Sequence, residues 1–337
     1  MPDTAAQESK DKRPCVVTIG GGTGHFSLLS GLKKHDVDIA AVVTMADSGG
    51  STGQLRDELG VLPPGDLRQC LVALSKADAT MRAVFTHRFD KGSLKGHTLG
   101  NLILSGLEQV TGSIDEAIER VSDILKIRGR VLPVSLDPMH LRMQLKNGKV
   151  LKGEHAVDDY QHISRFGVRS VELKPAASLN PTVRKALQAA DVIVVGPGDL
   201  YTSLLPNLLV EGMPAVLKRS RARKVFVAPL MNKYGQTDGL TVCEYLDVFA
   251  QSVGTQVFDT VVYSDTLPPK KLLRKYLDEG EPVHFRADDC PQSITAIPAD
   301  LLASTAPKRV KGDALARSFI RHDPDKLAHA ILDIVTV

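Results

Sequence analysis

The residues of this chain best suited to chemistry are glycines, hydroxyls and acids gathered into turns. Between residues 14 and 68 there are three such turns: Gly20-Gly21-Gly22-Thr23-Gly24, Ala46-Asp47-Ser48-Gly49-Gly50-Ser51-Thr52-Gly53, and Leu62-Pro63-Pro64-Gly65-Asp66-Leu67-Arg68. Each follows an apolar run or opens a helical pattern. A residue without Cβ lets backbone N–H groups close around an oxyanion without a clash. A helix start behind the turn adds unpaired donors and a partial positive charge. Three turns in quick succession point to a phosphorylated or nucleotide ligand.

Within the first turn, Gly21, Gly22, Thr23 and Gly24 are the candidate phosphate contacts. A dinucleotide fingerprint is broken there, because the position that needs a third small residue is His25. In the second turn Asp47 stands where a ribose hydroxyl or a divalent cation would be held. A turn-capping role for it is equally open. Gly49, Gly50, Ser51 and Thr52 supply backbone and hydroxyl donors to the same anion. Asp66 reads as the N-cap of the helix that follows, and Arg68 as a phosphate donor or a surface cation. His97 and Asn101, in Gly96-His97-Thr98-Leu99-Gly100-Asn101, open a long helix beside a candidate ligand.

Two later turns repeat the pattern. Gly196-Pro197-Gly198-Asp199-Leu200-Tyr201-Thr202-Ser203 follows the apolar run Val192 to Val195, with Asn207 about one helical turn on. From these, Gly196, Gly198, Tyr201, Thr202, Ser203 and Asn207 are candidates. The stretch Pro229 to Asp238 adds Asn232, Thr237 and Asp238. No Ser-His-Asp order and no metal-spaced His/Cys set is present, so catalytic residues stay unassigned and binding is what the pattern describes.

The elements that must position these residues alternate. Apolar strand patterns at 15–19, 39–45, 131–135, 191–196, 224–229 and 259–263 are separated by helical patterns at 24–34, 66–76, 98–110, 114–127, 181–189, 199–210 and 241–253. Apolar strands separated by helices predict an α/β fold: a mostly parallel sheet with helices on both faces. Residues 137–175 break the alternation, with period-two patterning around Asn147-Gly148. They read as a small antiparallel insertion, a candidate lid, within a single domain from residue 14 to 337. Residues 1–13 read as a disordered polar tail and Pro324 to Val337 as a closing amphipathic helix.

Composition narrows the partners. The 337 residues carry 42 basic and 39 acidic side chains for a net charge of +3, and no Trp. That balance, with 4% aromatic residues, speaks against nucleic acid. No apolar run approaches the roughly 18 residues that span a bilayer, so no membrane insertion is expected. The four cysteines are far apart and read as small buried hydrophobes in a reducing, cytoplasmic setting.

Together the segments VVTIGGGTGHFSLLSGLK, VVTMADSGGSTGQLRDELGVLPPGDLRQCLVALS, GHTLGNL, VVGPGDLYTSLLPNLLV and YGQTDG resemble the CofD-like superfamily, most closely its YvcK branch, the gluconeogenesis factors. The likeness runs from residue 16 to about 265. It implies a Rossmann-like core that binds UDP-activated sugars such as UDP-N-acetylglucosamine, with a role in cell shape and growth on gluconeogenic carbon sources. The other branch, the 2-phospho-L-lactate transferases, moves a phospholactyl group onto a deazaflavin with magnesium and a guanine nucleotide. By the same resemblance Gly21 to Gly24, Asp47, Gly49 to Gly53, Asp66, Arg68, His97, Gly100 and Asn101 match family motifs.

The chain departs from the family twice. It has Asp47-Ser48 where a pair of aspartates is usual, and Pro229 to Asp238 differs from the usual late motif. The resulting expectation is a cytoplasmic nucleotide-sugar-binding regulator, acting through protein partners, with no required cofactor. Magnesium at Asp47 and a homo-oligomer both stay open. A phospholactyl-type transferase is the alternative.

Overall fold

The computed structural model describes residues 13–276, 278–304 and 320–336. Ten strands are formed in chain order: β1 Cys15–Gly20, β2 Asp38–Val43, β3 Arg130–Pro133, β4 Leu141–Leu145 and β5 Val150–Lys152. They continue with β6 Val168–Leu173, β7 Val192–Val195, β8 Arg223–Val227, β9 Thr260–Ser264 and β10 Thr295–Ala299. Seven of them make one sheet in the order β10-β9-β8-β7-β1-β2-β3, with every pairing parallel.

The cause is the solid apolar character of the central strands. Val16, Val17, Ile19 and Val192 to Val195 are almost wholly buried, so both sheet faces must be covered. Helices such as Gly22–Leu32, Pro64–Leu74 and Val242–Val253 supply that cover. Val16 lies in register with Ile39 of β2 and Val192 of β7. From β1 the chain builds outward to β2 and β3, then returns to lay β7 on the other side of β1. Strand order therefore reverses between β1 and β7, and a crevice opens beyond their carboxyl ends.

The antiparallel insertion is present as a three-stranded sheet in the order β5-β4-β6. Its β4–β5 hairpin turns at Gly148, whose φ of +89° is what the Asn-Gly signal requires. Along β4, Leu141, Met143 and Leu145 are buried while Arg142 and Gln144 face outward.

Several elements differ from expectation. Gly50–Leu59 is a helix, although its glycine and hydroxyl content reads as a loop. Helices Ala79–Thr86 and Met213–Arg219 and the edge strand β10 are additional. Pro298 within β10 fits its edge position, where a missing N–H is tolerated. Residues 200–208 run as a π-helical turn, Leu200–Leu204, and then α-helix Leu205–Leu208. The closing helix is Pro324–Thr336. The tail expected at 1–13 lies outside the described residues except for Arg13.

The reading of all four cysteines as isolated hydrophobes is corrected. Cys243 and Cys290 form a disulfide with Cα atoms 5.1 Å apart, within the usual range for such a bridge. Sequence spacing gave no hint, because 47 residues separate them and only the packing of the 287–290 turn against the Val242–Val253 helix brings them together.

Candidate functional site

The turn after β1 and the turn after β7 face each other at the switch point. Gly21 caps the Gly22–Leu32 helix with no side-chain hydrogen bond, leaving the opening donors to other partners. One partner is already supplied: Asp66 Oδ1 accepts from Gly22 N at 3.0 Å. A Cβ at Gly21 would run into the Asp66 carboxylate. A Cβ at Gly24 would sit 2.5 Å from the carbonyl oxygen of Pro197. Glycine is thus required at both positions by close approach. Between the two turns lies a cavity of about 310 Å³ lined by Gly21 to Gly24, Gly198, Asp199 and Ser203, and closed further out by Pro229 to Met231.

His25, which breaks the dinucleotide fingerprint, is fully buried beneath this turn. Its Nε2 lies 2.8 Å from Thr18 Oγ1 and its Nδ1 3.6 Å from Cys70 Sγ. Burial lowers its pKa to about 3, so it is a neutral packing residue. The slot that a dinucleotide fold keeps small is filled by an imidazole.

Behind the cavity, Asp47, Asp66 and Glu154 sense one another, and Asp66 also feels Asp199 on the cavity wall. Asp47 Oδ1 accepts from Gly49 N at 2.9 Å, the turn-capping bond, and a second bond comes from Thr52. Burial nevertheless raises its pKa. Burial and then the Asp47 charge push Asp66 up to about 7. Burial, followed by Asp47, Asp158 and Asp66, pushes Glu154 up to about 8. Asp199 is raised too, by the protein around the cavity into which it opens. Like-charged carboxylates held this way favour a proton or a cation among them.

Among the described residues, no group of three or more His, Cys, Asp or Glu side chains is gathered as a metal site. Asp66 is corrected from N-cap to first-turn acid, because Pro63 takes the cap position. Glu154 carried no sequence signal. It opens a five-residue helix after the hairpin and reaches Asp47 only through the fold.

Arg68 is neither a surface cation nor an exposed phosphate donor. It is 4% exposed, and its Nε donates to Asn101 Oδ1 at 2.8 Å while Nη1 donates to the Phe85 carbonyl. Asn101 Nδ2 in turn donates to Ser51 Oγ at 3.2 Å, and Ser51 Oγ lies 3.0 Å from His97 Nδ1. Four candidates scattered over three segments are therefore one hydrogen-bonded chain. Thr98 and not His97 is the N-cap, and His97 is half-buried at the end of that chain.

The later candidates divide. Gly198 and Ser203 line the cavity, whereas Gly196 holds the turn with φ at +91°. Tyr201 and Thr202 are buried, and burial pushes the Tyr201 phenol up to about 12. Asn207 Nδ2 donates to the Ser203 carbonyl, and its buried Oδ1 has no partner. Asn232 is spent on Leu240 O and the Tyr245 hydroxyl, Thr237 on Lys233 N, and Asp238 on Gly235 N. Those three close their own loop.

Known proteins repeat this arrangement over nearly the whole chain. The family model described as 2-phospho-L-lactate transferase CofD matches residues 16–302. The gluconeogenesis factor of Listeria innocua is 37% identical over 327 residues, covering 96% of each chain. That of Bacillus subtilis is 36% identical over 327 residues, covering 96% of this chain and 99% of its own. The crystal structure of a UPF0052 family member from Bacillus halodurans superposes with a TM-score of 0.86 at 36% identity, covering 95% of this chain and 99% of that one. The family model, the relatives and the solved structure all match nearly the whole chain, and the chain belongs to the CofD family, alongside its gluconeogenesis factors.

Proposed function

We propose that this protein binds a nucleoside-diphosphate sugar of the UDP-N-acetylglucosamine type and acts as a regulator, a gluconeogenesis factor with a part in cell shape. The observation that carries this reading is the pair of opposed glycine turns at the β1/β7 switch point, enclosing a cavity of about 310 Å³. Backbone N–H groups of the β1 turn and the helix start behind it suit a diphosphate. Asp47, beyond the end of β2, suits a ribose hydroxyl or a cation. In this reading the protein works in the cytoplasm through protein partners and turns nothing over. The names of the relatives support the gluconeogenesis-factor part of the proposal.

A second reading, a phospholactyl-type transferase, is favoured by one specific observation. The aspartate missing from position 48 is compensated in space by Asp66 and Glu154, which crowd Asp47 and hold their protons to about 7 and 8. Asp47, Asp66 and Glu154 offer the oxygen donors a divalent cation takes, but as placed here they are not gathered into a metal site. When bound, such an ion would neutralise diphosphate charge.

Calorimetric titration with UDP-N-acetylglucosamine, against GDP with magnesium and against NAD, separates the readings. Micromolar binding of the UDP-sugar alone, with no product after long incubation, supports the regulator. Magnesium-dependent GDP binding supports the transferase. Binding of neither overturns both.

A further inference from the structure

A second concavity lies on the other side of the Asp47 turn, between the small antiparallel sheet and the Gly50–Leu59 helix. It measures about 670 Å³ and is lined by Arg56, His140, Arg142, Lys152, His155 and Lys174, with Ser48 on the wall it shares with the acid cluster. The first cavity is lined by other residues throughout.

Three observations show that this basic lining is not ordinary surface charge. Arg142 of β4 stands directly opposite Lys152 of β5 in the hairpin register. Like charges in that position are destabilising, and a hairpin free to choose would place an acid there. Lys152 has no carboxylate partner among the described residues, while Glu172 opposite Arg142 on β6 is shared between Arg142 and Lys174. Arg56 faces the same space from the helix: its Nη2 lies 3.0 Å from His140 Nδ1 and its buried Nε makes no hydrogen bond. Asp57 lies 3.7 Å from that Nε, Asp159 is paired with His155, and the Asp47 charge acts on Arg56 as well. Four permanent cations are therefore met by three carboxylates, Glu172, Asp57 and Asp47, and none of the three is paired with Lys152.

We propose that this pocket is a second anion site, taking a small phosphorylated metabolite whose phosphate is held between Arg142 and Lys152. An anion there removes the cross-strand repulsion and supplies an acceptor for the guanidinium fork and the ammonium together. The site is coupled to the first. Arg56 Nη1 donates to the Asp47 carbonyl at 3.3 Å, and Ser48 Oγ accepts from His155 N at 3.1 Å. An occupant of the basic pocket thus acts on the turn that carries Asp47, the arrangement a regulatory effector needs.

The test uses the full chain with inorganic pyrophosphate as the probe and citrate as the carboxylate control. Lys152→Glu is the informative variant, because a carboxylate at that exposed position pairs with Arg142 and takes the place of the ligand. The expected result is at least a tenfold loss of pyrophosphate binding, together with a rise of about 1–2 °C in anion-free melting temperature. UDP-sugar binding at the glycine turns should be retained. Lys174→Glu should weaken pyrophosphate in the same direction. Wild-type pyrophosphate affinity in Lys152→Glu would assign the phosphate to the glycine turns and overturn the proposal. So would a lower anion-free melting temperature, or binding of citrate without pyrophosphate. None of these outcomes bears on the nucleotide-sugar reading, which is read by a separate titration.

Discussion

Asp66 Oδ1 accepts a hydrogen bond from the backbone N–H of Gly22 at 3.0 Å, joining the first turns of two helices across 44 residues. The same oxygen accepts from Gln69 Nε2 at 3.2 Å. One carboxylate thereby shapes the β1 turn, occupies a donor that an anion would otherwise use, and faces Asp47. Ligand entry and the protonation of Asp66 are consequently linked.

That linkage has a sign. The folded-state pKa of Asp66 is raised to about 7 from an ordinary carboxylate value, so the folded chain holds a proton that the unfolded chain has released. Its contribution to stability is complete below the unfolded pKa near 4 and is lost as pH rises through about 7. Glu154 extends the window to about 8. The ligand-free protein should lose stability from about pH 4 to about pH 8 and level off above that, by at most about 1.4 kcal/mol per pH unit for each acid. Asp66→Asn, which keeps an acceptor for Gly22, should flatten that slope in urea unfolding series. On the transferase reading alone, magnesium would add stability over the same window as these acids ionise. An unchanged slope in the variant would assign the titration elsewhere.

Gly24→Ala tests the opposed turns. The added methyl would lie 2.5 Å from the Pro197 carbonyl, so the β1 and β7 turns must part by several tenths of an ångström. Both turns lie at the cavity rim and not in the sheet, so UDP-sugar affinity should fall by tenfold or more while far-ultraviolet dichroism is kept. Calorimetry on the variant and the parent decides it. Undiminished affinity would move the diphosphate away from this crevice.

The parallel sheet and the switch point were legible because the strands that flank it are uniform apolar runs, and uniform runs leave little choice of face. Glycine turns were legible because clustered glycines at strand ends stand out locally, and at Gly24 the Pro197 backbone carbonyl leaves a Cβ no room unless the turns part. What stayed hidden depended on distance in sequence. Glu154 reaches Asp47 only after the hairpin folds back, and no local pattern distinguishes it from Glu58 or Asp159. Arg68 was misjudged for a similar reason. A first-turn arginine reads as exposed until Asn101, 33 residues later, is seen to accept its Nε–H. The turn that the sequence suggests at Ala46 to Gly53 passes at Gly50 into the Gly50–Leu59 helix, whose Ser51 and Thr52 bond to His97 and Asp47.

The Cys243–Cys290 bridge predicts a blocked pair and two remaining thiols, Cys15 and Cys70. Alkylation of the unfolded, unreduced protein followed by mass measurement should show two modified cysteines, rising to four after reduction. Closing a 47-residue loop stabilises by about 4 kcal/mol in the chain-entropy description, so Cys243→Ser should lower the unfolding midpoint clearly. Four modified cysteines without reduction would refute the bridge in solution.

The chain Arg68–Asn101–Ser51–His97 makes opposite predictions for its two ends. Arg68 is buried and fixes the Asn101 amide, with Oδ1 toward the guanidinium and Nδ2 toward Ser51. Ser51 Oγ already accepts from Asn101, and the acceptor within its reach is His97 Nδ1. With Nδ1 engaged by Ser51, Nε2 is the ring nitrogen that His97 leaves at the half-buried end. Arg68→Ala should cost about 1–3 kcal/mol of stability, because Asn101 Oδ1 is stranded in the interior. His97→Ala should cost less than about 1 kcal/mol and instead lower nucleotide-sugar affinity by roughly 10-fold or more, the loss of one ligand hydrogen bond. Denaturant unfolding and titration on both variants separate the roles. If His97→Ala binds as tightly as the parent while Arg68→Ala is merely unstable, the chain is scaffold from end to end. If His97→Ala alone loses affinity, the chain exists to aim one imidazole nitrogen at the ligand.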